Sequence, residues 1–119
     1  MATIAEYLQR GESLDYTNAT DTLIPDGAVV AVGNHIGVTG CPIPPGKTGS
    51  LHMVGVFEIA KTGSTAIEMG ATVYFDGTGI TAAADNGKSG SEKAAYPTAG
   101  YAAGPAAAGD ATILVKLCG

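Results

Sequence analysis

An all-β domain, a compact small barrel or sandwich of short antiparallel strands, is the fold class this sequence predicts. Two observations carry that expectation. Apolar and polar side chains alternate at period two in stretch after stretch, which is the signature of a strand with one buried face. Glycine, proline and Asp-Gly pairs punctuate the intervals, and no segment after residue 11 keeps a helical period for three turns.

The elements follow in chain order. Residues 1–11, with Thr3-Ile-Ala-Glu-Tyr-Leu-Gln-Arg10, fit a short helix or an extended N-terminal arm, and the pattern does not choose between them. From residue 12 to 119 a single β domain is expected. Leu14 and Tyr16 alternate with Ser13, Asp15 and Thr17. AVVAVG from Ala28 and HIGVTG from His35 read as two short strands. Gly49 to Ala60 reads as one long strand, with Leu51, Met53, Phe57 and Ile59 on one face and Ser50, His52, Val54, Val56 and Glu58 on the other. ATVYFDG from Ala71 and GITAA from Gly79 are further short strands. At the end, Ile113, Val115 and Leu117 oppose Thr112 and Lys116.

Residues 78–111 form a Gly/Ala-rich tract whose polar middle, residues 85–93, is an exposed flexible loop on this reading. Tyr96 to Ala103 returns as a strand of small side chains, which lets another backbone approach closely. Alanine favours helix, but glycines with Pro97 and Pro105 interrupt every run.

A weak internal repeat runs through these elements. Ile24-Pro-Asp-Gly27, Ile43-Pro-Pro-Gly46, Ile67-Glu-Met-Gly70 and Ala106-Ala-Ala-Gly109 each precede a strand. Glycine permits positive φ in a tight turn, and proline presets φ near −65°. The copies are too unevenly spaced for a solenoid or propeller, so they read as equivalent corners of one sheet or barrel.

Composition narrows the function. In 119 residues only 14% are charged, against roughly 25% in an ordinary soluble domain, and 18 are glycine. A surface so poor in charge suggests cover by other protein chains. A net charge of −5 with six scattered Lys and Arg disfavours nucleic acid as a partner. No apolar run reaches the ~20 residues that span a bilayer, and no secretory leader pattern is seen, so neither a membrane nor export is expected. Cys41 and Cys118 have no metal-like spacing and read as reduced thiols. Asn18-Ala-Thr20 matches a glycosylation acceptor by chance.

One motif deserves a chemical test. GCPIPPGKTGS, residues 40–50, resembles a phosphate-binding loop, but five residues rather than four separate Gly40 from Gly46-Lys47-Thr48. That loop turns backbone N–H groups onto phosphates, and Pro42, Pro44 and Pro45 have none. A helix must follow it, whereas a strand follows here. The stretch reads as a turn. His35 and His52, with Asp26, Glu58, Asp76 or Asp110, show no spacing that selects a metal site. Neither cysteine sits in a nucleophile signature, and Asp21 with Asp26 reads as turn chemistry rather than an acid/base pair. No catalytic residue, cofactor, metal or small-molecule substrate is expected, and the chain reads as a non-enzyme.

Several stretches in order carry a resemblance. They are Gln9 to Asn18, Ile24 to Val30, Gly49 to Ala60 with Gly55-Val56-Phe57, Met69 to Asp76, Ala99 to Ala103, and Ala108 to Val115. Together they resemble the capsid cement, or head decoration, proteins of tailed phages. The 85–93 loop and Cys41 to Pro45 depart from that pattern. The resemblance implies a β-rich domain on the outer surface of an assembled head, made in the host cytoplasm, commonly a homotrimer bound to the major capsid protein. On this reading two regions make contact. The arm offers Thr3, Ile4, Tyr7, Leu8 and Arg10 to a neighbouring sheet or to the capsid. Tyr96, Tyr101, Ala102 and Pro105 pack a subunit interface. The alternative is a carbohydrate- or host-binding module, or a fibre component, on the virion surface.

Overall fold

Period two turns into strand wherever a second strand is available to pair. The computed structural model describes residues 5–118, and among them are nine strands, a single 3-10 turn at Gly90–Glu92 and no α-helix. The strands are β1 (Ser13–Thr17), β2 (Val29–Val32), β3 (His35–Thr39), β4 (Thr48–His52), β5 (Val54–Ala60), β6 (Thr72–Phe75), β7 (Ile80–Thr81), β8 (Thr98–Ala102) and β9 (Thr112–Cys118). They form one mixed sheet that folds over on itself without closing, so the domain is sandwich-like rather than a closed barrel.

The four repeated corners meet in pairs, and three of them turn on a glycine of positive φ while Gly109 in the fourth does not. Each leads from an isolated bridge residue through a turn into a strand. Gly27, Gly46 and Gly70 adopt φ of 77°, 74° and 89°, the left-handed region where only glycine is free of strain. Ile24 and Ile43 exchange reciprocal backbone hydrogen bonds of 3.0 and 2.8 Å, and Ile67 and Ala106 do the same at 2.9 and 2.8 Å.

That pairing exposes a duplication. The first half places its strands in the order β2-β3-β4-β1, and the second places them β6-β8-β9-β5, all antiparallel. Hydrogen bonds between the strands correspond at three places, although the β6–β8 pair carries a register shift at Val73/Tyr74 that β2–β3 lacks. Gly27 donates to Thr39 and Gly70 to Ala102; Thr39 donates to Ala28 and Ala102 to Ala71; Gly40 donates to Ser50 and Ala103 to Leu114. The halves join by one parallel bridge between His35 and Thr98, the first residues of β3 and β8. Parallel pairing of equivalent residues is what a local two-fold axis along the strands produces. The second half carries an insertion, β7 and the loop after it, where the first has only the turn Gly33-Asn34 between β2 and β3.

One core cluster draws on both halves. Ile36 and Val38 pack with Ile59, Ile67, Val73, Ile80, Ile113, Val115 and Leu117, and Ala99, Ala102 and Ala106 fill the narrow places. Alternation in β9 holds throughout, since Ile113, Val115 and Leu117 are all buried. The long strand expected from Gly49 to Ala60 is instead β4 and β5, divided at Met53. Its first part pairs with β1 and β3, its second with β9, and Gly55 at φ 130° helps the chain pass from one half-sheet to the other. Parity survives the break: Leu51, Met53 and Ile59 are buried, Phe57 is half-buried, and Val54 and Val56 face out. In β1, Leu14 is exposed, because β1 is an edge strand with β4 on one side only.

Two expectations about chain segments are refined. Ala5 to Glu12 has no regular structure, so no helix forms among the described residues of the arm. The 85–93 loop is exposed for most of its length but is folded on itself. Asp85 bridges to Ala95, the Asn86 side-chain amide donates to the Glu92 carbonyl at 2.9 Å, and Lys93 lies 3.8 Å from Asp85.

Candidate functional site

The stretch that resembles a phosphate-binding loop folds as a turn between strands. Gly46 is a turn residue whose N–H already donates to the Asn18 carbonyl at 2.8 Å, and Lys47 N–H closes the turn onto Pro44. Thr48 then opens β4, so no helix N-terminus stands there to receive phosphate. Among the described residues no group of three or more His, Cys, Asp and Glu side chains could hold a metal ion. His52 is exposed and lies tilted against Phe57, with ring centroids 6.0 Å apart. Cys41 and Cys118 are free thiols. Asn18 has no exposed surface, so its amide is out of reach of a glycosyl donor in the folded chain.

Polar groups in the interior serve the corners instead. Asn18 Nδ2 donates to the carbonyls of Thr22 and Ile43, and its Oδ1 accepts from Thr20 N–H and hydroxyl. Thr39 hydroxyl donates to the Pro25 carbonyl and accepts from Ala28 N–H. Lys61 Nζ donates to the Ala108 carbonyl at 3.2 Å. Among the described residues no buried side-chain nitrogen or oxygen lacks a partner. The Asp76 carboxylate caps its own Asp-Gly turn, accepting from Thr78 and Gly79 N–H at 2.9 Å and from the Thr62 hydroxyl at 2.6 Å. Partial burial pushes its pKa up, but the Thr62 hydroxyl and the two amides outweigh that and hold it below the ordinary 3.8.

What the surface offers is apolar. On the outer face of the second half, Val56 pairs across from Lys116, and Lys116 pairs across from Tyr101. The Lys116 ammonium lies 5.8 Å from the Tyr101 ring centre, a cation–π arrangement that leaves its stem on the sheet. Val54, Val56, Leu114 and Tyr101 are all exposed on this face. Two of the four have polar equivalents in the first half, Ser13 where Val56 stands and Ser50 where Leu114 stands, whereas Tyr101 answers to the buried Val38 and Val54 to Gly11. The duplication supplies an internal control here. The fold tolerates polar residues at those two places, so folding alone does not require Val56 and Leu114 to be apolar.

A second apolar feature lies where the sheet fails to close. A groove of about 490 Å³ is lined by Val29, Val38, Phe57, Ile59 and Phe75, with Glu58 as a charged residue in its wall. Among the strands β5 pairs with β9 alone and β2 with β3 alone, so much of each outer edge is open, the end of β5 being met by a parallel bridge between Lys61 and Ile80.

The residues singled out from sequence distribute unevenly. Tyr7, Leu8 and Arg10 lie on the exposed arm, Tyr7 at 80% and Leu8 at 82% exposure, values that leave them no cover from their own chain. Thr3 and Ile4 lie outside the described residues. Tyr101 sits on the apolar outer face, Pro105 is exposed, and Tyr96 is half-buried. Ala102 has no exposed surface and belongs to the core, so its side chain has nothing to offer a neighbour. The close backbone approach expected of this tract occurs within the chain, because a Cβ at Gly100 would strike the Lys116 carbonyl oxygen. Val54, Val56 and Leu114 went unassigned, although the outer parity of Val54 and Val56 was visible in the alternation.

Comparison with known proteins adds one finding. The profile of a family described as phage cement protein matches residues 8–117, nearly the whole chain. No curated protein and no solved structure matches.

Proposed function

The chain belongs to the phage cement protein family, and from that premise we propose that it binds the outside of an assembled phage head and stabilises the shell without doing chemistry. The match across residues 8–117 is the observation that carries this reading. The physics beside it is mass action. A ligand that binds the assembled lattice and not the free subunits stabilises assembly by RT ln(1 + [L]/Kd). Many copies on one shell add small energies, so each contact can be weak.

The protein acts as a homotrimer on this reading, bound to the major capsid protein at the outer surface. Its exposed Val54, Val56, Leu114 and Tyr101 support an oligomer, since an apolar sheet face of this kind is normally covered. Linking three copies raises avidity without any new contact to the shell. The arm, Met1 to Arg10, reaches a neighbouring chain, because Tyr7 and Leu8 find no partner in their own.

Deleting residues 1–10 tests the arm. The truncated chain is expected to bind shells more weakly, and unchanged binding removes the arm from the account. Binding to cells or glycans in the absence of any shell would favour the rival reading of a host-binding module.

A further inference from the structure

The exposed face of the second half carries two charges in a pattern that fits a second copy of itself. On β5 the side chains of Val54, Val56 and Glu58 share the outer parity, and on β9 those of Leu114 and Lys116 do. Val56 stands opposite Lys116, and Glu58 opposite Leu114. These residues make a quadrilateral, with the charges on one diagonal and the apolar side chains on the other. Diagonal neighbours lie about 7–8 Å apart, within reach of long side chains, yet these two charges do not join. The Lys116 ammonium lies 5.8 Å from the ring centre of Tyr101 on β8, on the far side of β9 from β5. The salt bridge found among the described residues joins Lys93 to Asp85, so Glu58 stands exposed with no cation of its own chain beside it there.

Such a face is complementary to its own copy. A two-fold axis in the plane of contact, running close to the apolar diagonal, sets Lys116 of each copy against Glu58 of the other, and both pairs form together. Val56 and Leu114 then meet their own counterparts near the axis, where they form a dry centre. An axis so inclined to the strands crosses the two sheets at near right angles, one of the two ways in which sheets pack. Folding does not demand this apolar diagonal, since Ser13 and Ser50 stand in its place in the first half. We propose that this face is a two-fold contact between two copies of the chain, with Lys116 and Glu58 exchanging ion pairs across it. The inference rests on the reading of an oligomer on the shell and deepens it: copies pair through this face, and the contacts of a homotrimer fall elsewhere.

Charge exchange in the full-length chain, followed by sedimentation, tests the pairing. Glu58→Lys sets lysine against lysine across the contact, and Lys116→Glu sets glutamate against glutamate. Each variant alone should self-associate about tenfold more weakly than the parent. Mixed in equal amounts, the two should associate as tightly as the parent does, because every contact is then Lys against Glu. The chain carrying both changes should do the same by itself. If either variant loses its cooperative melt, Val56→Cys in a Cys41→Ala, Cys118→Ser chain takes its place, and mild oxidation should link it to its own copy. Absence of that link overturns the proposal. So does a parent that sediments as a monomer, a single variant that associates as the parent does, or a mixture no tighter than its parts. Loss of shell binding by a variant whose self-association is intact also overturns it and gives the face to the shell. Shells that bind a monomeric parent sink the pairing alone, and shells that take up no parent sink the functional reading.

Discussion

Asn18 and Lys61 stand at the same place in the two halves of the domain. Each follows an edge strand, β1 or β5, by one residue, and each precedes its corner residue, Ile24 or Ile67, at the same distance along the chain. Their backbone N–H groups donate to the equivalent carbonyls of Lys47 and Ala111, both at 2.9 Å. Both side chains are buried and donate to a carbonyl of the later corner of their own half.

The two are not expected to contribute equally. Asn18 uses both ends of its amide, so Asn18→Ala strands buried partners and opens a cavity, at a cost of about 2–3 kcal/mol. Lys61 makes one bond and buries an ammonium to do so. Replacement by Met keeps the volume and removes the desolvation, so Lys61→Met should change stability by less than about 1 kcal/mol. Urea denaturation of both variants checks the contrast.

Gly100 is the glycine whose replacement should cost most. Its φ is 143°, and a Cβ there would strike the β9 backbone at Lys116. Gly100→Ala should destabilise by about 3 kcal/mol or more. Gly109 has open space around it and no positive φ, so Gly109→Ala should be neutral or stabilising by up to about 1 kcal/mol. Thermal melts of the pair separate backbone strain from mere loss of glycine.

Acid should weaken the fold partly through Asp76. Its folded pKa lies below the ordinary 3.8, so the ionised form is favoured by folding. That contribution is complete above the unfolded value and is lost as pH falls through the folded one. Asp76→Asn should therefore be less stable than the parent at pH 7, with the difference shrinking between about pH 5 and pH 2. A constant difference across that range would contradict the assignment.

The outer face offers a change that should spare the fold. Val56→Asp faces Lys116 across the strands and is exposed, so the monomer should lose no more than about 1 kcal/mol. Self-association, followed by sedimentation, should weaken by about tenfold or more.

Local grammar made much of the fold legible. The corners at Gly27, Gly46 and Gly70 were readable because turn chemistry resides in a few adjacent residues. The division at Met53 was hidden, since Leu51, Met53, Phe57 and Ile59 keep one parity while the strand changes partners. Pairing between distant strands decides such a break, and a single stretch does not record it. Asn18 and Lys61 left a signal, their equal distance from Ile24 and Ile67, that aligning the repeat copies would have found. The groove left none, because it is made where two edges fail to meet.

Sedimentation of the protein with assembled, expanded shells, beside the same protein mixed with unassembled capsid subunits, bears most directly on the central claim. Saturable binding to the shells at a fixed ratio, with greater resistance of those shells to heat and none of this binding to free subunits, is the predicted result. Shells that take up no protein, or free subunits that bind it as well as the lattice does, would contradict it.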